Sequence, residues 1–469
     1  MNDATQRRRA GLTAICVAHF LMPFMMSAVG VALPTIGSEL KASALQLGLV
    51  ETVYVLSASI FLLAMGRLGD IHGRRRIFLT GLLLFAAFGG LLAMAPSIEI
   101  LVALRFFQGM GGSMVMATSF AIVVASFPPQ QRGRALGIAV AAVYAGISCG
   151  PFIGGWLVSL AGWRALFLLC VPMGLIAFAV ARACLKEEWA EARGEPFDLR
   201  GSLVYAASVL LIVIGASNLD LGWPGWICLA TGTAGLILFV LLERRTRHPV
   251  LDIRLLTGNR VFACSNLAAL LNYAATFGVT FFLSLYLQVV KGMSPHQAGT
   301  VLIIQPITQA LLSPVCGRLA DRWSAPWVAT GGMTLCALGL GLMAGLEADS
   351  SLVRVAVLLL LLGLGFALFS SPNISVIMGS VAPKYLGVAS GLNSTMRTLG
   401  MMTGMTIITL VFSLKMAGQP VSAATTGPFL TSLRLSLLVF SALSLLGILL
   451  SMGRVRPLRD NQADRTSTP

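Results

Sequence analysis

The chain carries little charge for its length. Asp, Glu, Lys and Arg make up only 11% of its 469 residues, whereas soluble domains carry roughly 25%. Hydrophobic residues reach 57% and the mean hydropathy is +0.86. This composition excludes an ordinary soluble protein and predicts that most of the chain lies in lipid.

Motifs of enzyme chemistry are missing as well. The four histidines form no His-Glu-x-x-His pair, and the sequence has neither a Gly-x-Ser-x-Gly elbow nor a P-loop. The eight cysteines lie within or beside apolar segments, with no Cys-x-x-Cys pair and no disulfide framework. We therefore expect no enzyme, no metal, no cofactor and no direct use of ATP.

The positive charge, +15 at pH 7, is divided among short segments that separate long apolar runs. Nucleic-acid-binding domains concentrate such charge in one patch, so we expect no nucleic-acid partner and assign the charge to orientation in a membrane. At about 20 residues per span, the sequence predicts fourteen transmembrane helices, near residues 11–33, 47–65, 77–95, 99–121, 135–159, 165–185, 199–218, 225–243, 262–288, 297–316, 326–346, 352–376, 388–412 and 430–452.

Lysine and arginine divide unevenly between the two sides of this arrangement. Of the 33, 25 fall on the side that holds both termini and six on the other, while Arg105 and Arg397 remain inside spans. Cytoplasmic loops are enriched in Lys and Arg, so we expect a multi-pass protein of the cell membrane with both termini in the cytoplasm. The first span is too long for a signal peptide and lacks a clear cleavage site, so we expect it to be retained and to end at Pro34.

The segment 66–76 holds four arginines and Asp70 between two apolar runs, in the pattern Gly-x-x-x-Asp-x-x-Gly-Arg-Arg-Arg. We expect a water-facing cytoplasmic turn there. Its glycines allow two helix ends to approach closely: Gly66, Gly69 and Gly73. A shorter echo at 317–322, with Asp321 at the position of Asp70, indicates two related halves. A basic turn at 127–134 supplies Arg134 as a candidate partner for Asp70.

The echo leads to a division of the chain into two helical bundles. We predict an N-terminal six-helix bundle, a linker that carries two inserted helices, a C-terminal six-helix bundle and a cytoplasmic tail, over residues 1–185, 186–260, 261–452 and 453–469 respectively.

Two charged residues lie inside predicted spans of the N-terminal half. Glu51 lies one turn in from an outer helix end, with Tyr54 three residues on. Either Glu51 simply lies at the membrane interface or it is a functional site, because an acid at this depth is costly without water or a partner. Arg105 lies deeper, with Gln108 on the same helix face, and a buried guanidinium needs acceptors.

The predicted span at 135–159 contains an unusual run of small residues with one proline. The run reads Gly-x-x-x-Gly-Pro-x-x-Gly-Gly from 146 to 155. Small residues permit close helix packing, and Pro151 removes a backbone donor and bends the helix. The small-residue face consists of Gly146, Gly150 and Gly154.

Around Arg105 and Gln108 the sequence reads Leu-x-x-x-Arg-x-x-Gln-Gly-x-Gly-Gly, from 101 to 112. Together the motifs at 66–76, 101–112 and 146–155 and the two-helix insertion resemble the fourteen-helix drug:proton antiporter branch of the major facilitator superfamily. The resemblance covers nearly the whole chain. It implies an all-α integral membrane protein with the major-facilitator fold, two six-helix bundles plus two inserted helices.

The resemblance also implies roles for individual residues. Asp70 with Arg74 would latch the two halves in the outward-facing state, where Asp70 would meet Arg134 and the amino end of the 388–412 span near Gly387. Arg105 would take part in proton coupling, and the Gly150–Pro151 kink would mark an antiporter. One position departs from the pattern: many relatives carry an acid where this chain has Met25.

The leading hypothesis is secondary active efflux of small amphipathic molecules, driven by inward proton flow with Glu51 as the titrating group. The alternative is a metabolite or lipid exporter, or a uniporter, without proton coupling, which Met25 favours. The expected partners are the substrate, protons and membrane lipid, and we expect a monomer. The predicted cavity wall consists of Phe24, Met25, Tyr54, Tyr144, Tyr273, Phe277 and Asn373.

Overall fold

The computed structural model describes residues 3–217, 222–416 and 426–453. The described chain is helical, and we number its α-helices in chain order: α1 (Asp3–Leu40), α2 (Ala44–His72), α3 (Arg74–Ala93), α4 (Ile98–Ser126), α5 (Pro129–Ala161), α6 (Arg164–Cys184), α7 (Leu199–Ser217), α8 (Trp223–Glu243), α9 (Arg254–Thr257), α10 (Arg260–Leu285), α11 (Pro295–Leu302), α12 (Ile304–Arg322), α13 (Ala325–Met343), α14 (Leu352–Gly379), α15 (Leu386–Met416) and α16 (Thr426–Met452).

Within the described residues, fourteen helical segments are long and apolar enough to span a membrane, with α11 and α12 forming one of them. The predicted number of spans is therefore confirmed. The predicted end of the first helix is wrong: α1 runs on to Leu40 and keeps Pro34 inside it. Proline removes only one backbone hydrogen bond, and α1 packs along both α5 and α6, so the helix continues through it.

The helices form two bundles, α1–α6 and α10–α16, that meet chiefly along two pairs of helices, with smaller contacts between α4 and α15 and between α5 and α14. In one pair α5 packs against α12, and in the other α2 packs against α15. At both contacts the backbones approach closely because a glycine lies at the crossing: a Cβ at Gly137 would meet the backbone of Ser313, and one at Gly391 would meet that of Leu62.

The inserted helices α7 and α8 pack chiefly on each other, and α7 also touches α2 and α15. The hydroxyl of Tyr205 on α7 lies 3.4 Å from Thr395 Oγ1 and 3.5 Å from the carbonyl oxygen of Ser59. The inserted pair therefore lies beside the α2–α15 contact and touches both bundles.

Candidate functional site

The turn at 66–76 lies where α2 ends and α3 begins, and we name this end of the bundles the basic end. Gly73 forms the corner with φ +113°, a backbone region that favours glycine. Asp70, fully buried, accepts hydrogen bonds from the backbone N–H groups of Gly387 and Val388, each at 2.9 Å. Arg74 donates to the same carboxylate at 2.6 and 2.8 Å.

Asp70 thus caps the N-terminus of α15, which belongs to the other bundle. Helix N-termini carry unpaired N–H groups and a positive partial charge, so a carboxylate is the natural cap. Arg74 also donates to the carbonyl oxygen of Pro383 at 2.5 Å. The predicted meeting of Asp70 with the helix end near Gly387 therefore appears in the structure.

The echo at 317–322 makes the reciprocal contact. Asp321 accepts from the backbone N–H groups of Gly133 at 2.7 Å and Arg134 at 2.8 Å, near the N-terminus of α5. This corrects the expected pairing, because Arg134 meets Asp321 and not Asp70. Each aspartate binds a helix of the bundle to which it does not belong: Asp70 binds α15, and Asp321 binds α5. We name the two contacts the Asp70 latch and the Asp321 latch.

The glycine that precedes each aspartate by four residues makes the approach possible. A Cβ at Gly66 would collide with the backbone carbonyl of Gly387, and a Cβ at Gly317 would collide with that of Gly133. The Gly-x-x-x-Asp spacing therefore places the glycine where the two helices cross. The carboxylate follows one turn later on the same face, where it meets the end of the helix from the other bundle.

The segment between α6 and α7 is bound to the Asp70 latch. The N–H of Arg74 donates to the carbonyl oxygen of Trp189 at 3.0 Å, and that of Ala192 donates to the carbonyl oxygen of Asp70 at 3.0 Å. Arg67 forms a salt bridge with Glu195. Burial alone would raise the pKa of Glu195, but hydrogen bonds from Arg67 and His248 lower it overall, so the carboxylate stays ionised at neutral pH.

Away from the basic end, Arg105 of α4 is fully buried where α4 packs against α2. Its Nε donates to the carbonyl oxygen of Val50 at 3.1 Å and its Nη1 donates to Gln108 Oε1 at 2.7 Å. The guanidinium stacks over the Tyr54 ring, 4.2 Å from its centroid. Among the described residues, Arg105 Nη2 has no hydrogen-bond partner.

Glu51 lies on α2 one residue beyond the carbonyl that Arg105 contacts. Its side chain is half-buried and faces α1 at Gly30, where an added Cβ would lie 2.9 Å from Glu51 Oε1. Glu51 and Arg105 interact electrostatically. The structure therefore brings together the two charged residues that the sequence had placed inside spans of the N-terminal half, within one group on α1, α2 and α4.

The small-residue run of α5 packs on α1. An added Cβ at Gly146 would meet the backbone of Phe20, and one at Gly150 would meet Ser27, while Gly154 faces Ala28. Pro151 lies inside the continuous helix.

A central cavity of about 570 Å³ lies between the two bundles, farther from the basic end than the two latches are. Most of its wall is apolar, with aromatic rings and methionines from both bundles and a few polar groups. Its lining residues are Met26, Tyr144, Ile147, Tyr273, Thr276, Thr280, Phe281, Ser284, Leu302, Gln305, Pro306, Gln309, Phe366, Arg397, Met401 and Met405.

Of the predicted cavity wall, Tyr144 and Tyr273 line this cavity. Tyr54 lines a smaller adjoining cavity of about 110 Å³. Phe24, Met25 and Asn373 line neither cavity, because all three are buried in packed helix contacts. Side chains advance by about 100° per residue around a helix, which turns Phe24 and Met25 away and leaves Met26 at the cavity.

Asn373 donates to the carbonyl oxygen of Ser265 at 3.2 Å and so connects α14 to α10. The side chain of Phe277 lies outside the described part of the chain. Sequence reasoning did not select several wall residues, among them Gln305, Gln309 and Arg397. The available signal was polarity inside an apolar span, which these three share.

Two helical bundles around a central cavity, with reciprocal contacts at one end, define the architecture of an alternating-access membrane transporter. The chain belongs to the Major Facilitator Superfamily, whose model matches residues 15–405 and 265–469. It is a multi-pass membrane transporter and not an enzyme.

Several curated relatives align over most of the chain. It is 30% identical over 444 residues to the riboflavin transporter RibZ of Clostridioides difficile, which covers 94% of this chain and 96% of that protein. It is 32% identical over 404 residues to the multidrug resistance protein Stp of Mycobacterium tuberculosis, covering 85% and 75%. The cephamycin export protein CmcT of Amycolatopsis lactamdurans is 31% identical over 436 residues, covering 90% and 88%.

A solved structure supports the fold alone. The crystal structure of the human organic anion transporter MFSD10 superposes with a TM-score of 0.66 at 17% identity, covering 96% of this chain and all of that one.

Proposed function

We propose that this chain exports small amphipathic molecules across the cell membrane, by alternating access and in exchange for protons. Relatives whose names state drug resistance or antibiotic export support the direction of transport. The cavity supports the substrate class, because aromatic rings and flexible methionines adapt to varied apolar ligands. Its few amides and hydroxyls would orient a polar group.

The excess of Lys and Arg supports the sidedness, with the basic end in the cytoplasm. The state described here would then be closed toward the cytoplasm, since the Asp70 and Asp321 latches join the bundles at that end. Substrate would leave the central cavity on the opposite side. Opening toward the cytoplasm requires both carboxylates to release the opposing helix ends.

The single observation that carries the proton coupling is the half-buried Glu51 beside the buried Arg105. Glu51 interacts electrostatically with Arg105 on α4, and Arg105 in turn interacts with Tyr54 on α2 and Cys170 on α6. An ionised Glu51 offsets the guanidinium charge, and a protonated one leaves it uncompensated. Proton binding therefore changes the free energy of the N-terminal bundle, and a conformation that prefers one protonation state couples protons to transport.

The test is Glu51→Gln in proteoliposomes, with an imposed pH gradient and with riboflavin, ethidium and 8-anilinonaphthalene-1-sulfonate as neutral, cationic and anionic probes. For each probe that the wild type accumulates, we expect the variant to lose gradient-driven accumulation by at least about tenfold, because glutamine binds no proton. Glu99→Gln, a change of the same charge at an exposed position on α4, is the matched control and should accumulate the same probes as the wild type does. Full gradient-driven accumulation by the Glu51 variant would refute the coupling.

Facilitated or uncoupled export is the second candidate, and one observation favours it. The position at which the antiporter branch carries an acid is Met25, which is fully buried and offers no proton site. Transport by an uncoupled carrier would run at one rate with the pH gradient present or collapsed, which the same assay measures.

A further inference from the structure

The wall of the central cavity contains one cationic side chain. Arg397 lines the central cavity and also two smaller cavities that adjoin it. It lies on α15, eleven residues after Leu386, or about 16 Å along the helix axis. This is close to the middle of a hydrocarbon core roughly 30 Å thick.

Among the residues that the structure describes, Arg397 has no acidic counter-ion. None of the residues that line the three cavities is Asp or Glu, and no salt bridge or hydrogen bond to Arg397 is found among the described residues. Its guanidinium lies 5.7 Å from the centroid of the Tyr273 ring. A ring face offsets part of a positive charge, but an unpaired cation at this depth remains costly and marks a ligand path.

Aromatic rings lie next to this charge. Tyr144 and Tyr273 each meet Phe366 edge to face, with centroids 5.9 and 5.3 Å apart. Tyr144 comes from the N-terminal bundle and the other two from the C-terminal bundle, so the group spans the interface between the bundles. Flat apolar ligands pack well against such rings.

We propose that Arg397 with Tyr144, Tyr273 and Phe366 forms an anion subsite, and that the transported molecules are aromatic amphiphiles carrying one negative charge. The charge of the ligand would complete the missing ion pair, and its rings would pack on the aromatic group. The inference rests on the proposed function for export but names a substrate class that the function alone leaves open. It also reverses the preference for cationic substrates that an acid at position 25 would create.

A pair of fluorescent probes tests this directly. 8-Anilinonaphthalene-1-sulfonate and N-phenyl-1-naphthylamine share one aromatic body, and only the first carries a sulfonate. Binding is measured with the full-length protein in lipid nanodiscs, against empty nanodiscs. We expect the wild type to bind the sulfonate more tightly, since a charge-assisted pair with arginine adds to the shared apolar contacts.

Arg397→Gln should weaken binding of the sulfonate by about tenfold or more and leave binding of the neutral probe nearly unchanged, which also shows that the variant is folded. Arg397→Lys should recover part of the loss, because it keeps the charge but not the planar fork. Arg434→Gln removes the same charge from an exposed position on α16 and should bind both probes as the wild type does.

Two results would overturn the subsite: a wild type that binds the neutral probe as tightly as the sulfonate, or an Arg397→Gln variant that keeps the wild-type ratio of the two affinities. Equal losses for both probes are an instance of the second result, and they would mean a general packing role for Arg397. The measurement uses no proton gradient, so it stands or fails independently of proton coupling.

Discussion

Pro151 removes a backbone donor from α5, and the group that compensates lies on another helix. The N–H of residue 151 would have bonded the carbonyl oxygen of Ile147, four residues earlier. Ser27 Oγ on α1 donates to that carbonyl oxygen at 3.1 Å. Within lipid no water replaces a missing partner, so Ser27 makes a proline tolerable inside the span.

Ser27→Ala should therefore destabilise the protein by about 1–2 kcal/mol, because it leaves the Ile147 carbonyl without a donor. Thermal unfolding of the purified protein in detergent measures this as a lower Tm. Ser159→Ala is the control, since Ser159 is exposed and bonds only within its own helix. Equal Tm values for the two variants would mean that Ser27 contributes nothing beyond an ordinary surface serine.

At the residue scale, the sequence identified charged residues inside spans more reliably than it identified which side chains of a helix face the cavity. Glu51 and Arg105 stood out because charge inside an apolar span is rare, and the structure puts them in one group. Met25 and Met26 look alike in sequence, yet Met25 is fully buried and Met26 lines the cavity. That difference depends on the rotation of α1 against α5, which no local pattern encodes.

Two latches join the bundles at the basic end, and they differ in burial. Asp70 is fully buried and also binds Arg74, whereas Asp321 is half-buried. Each carboxylate accepts two backbone N–H groups of the opposite bundle. At about 1.5–3 kcal/mol for each hydrogen bond to a charged group, one latch stabilises the closed end by several kcal/mol. Moving a two-state equilibrium from 1:99 to 99:1 takes about 5.5 kcal/mol, so loss of one latch should open a measurable fraction.

Asp70→Asn should open the basic end, because the amide carries no charge and turns one acceptor into a donor group. Spin labels at His72→Cys and Lys384→Cys, both exposed positions on opposite bundles, report the separation in a background without the native cysteines. We expect the distance distribution to broaden and gain a longer component.

Asp349→Asn is the matched control for this measurement, since Asp349 is exposed and lies between α13 and α14, away from both latches. It should leave the distances unchanged. An Asp70→Asn distribution that overlays the wild type would show that the carboxylate does not hold the bundles together.

At the element scale, the echo of 66–76 at 317–322 predicted two related halves, and their reciprocal contacts follow from it. The predicted pairing of Arg134 with Asp70 is wrong. Opposite charges suggested a side-chain pair between Asp70 and Arg134, but the structure uses backbone N–H groups at helix ends. Every residue except proline carries such an N–H, so the residues alone did not identify the partner of either aspartate. The helix end near Gly387 was expected for Asp70 from the family resemblance, and the helix end that Asp321 meets was not predicted.

At the scale of the whole molecule, the lengths of the apolar runs were sufficient to predict the fourteen spans. Apolar length sets the number of helices, and tertiary contacts changed only their ends, as in α1 beyond Pro34. The cavity was beyond such reasoning, since its wall combines residues from α1, α5, α10, α11, α12, α14 and α15 that are far apart in the chain.

The uneven distribution of charge makes a prediction for the orientation of the whole protein. Cytoplasmic enrichment of Lys and Arg requires that the basic end face the cytoplasm and the loop between α13 and α14 face outward. Single cysteines replace Arg76, whose side chain is 66% exposed, and Asp349, also exposed, in a background without native cysteines. A membrane-impermeant maleimide should label position 349 in intact cells, and position 76 only in inverted vesicles. A permeant maleimide should label both positions in both preparations, which controls for reactivity. Labelling of position 76 from outside intact cells would reverse the orientation, and with it the assignment of the closed latches to the cytoplasmic side.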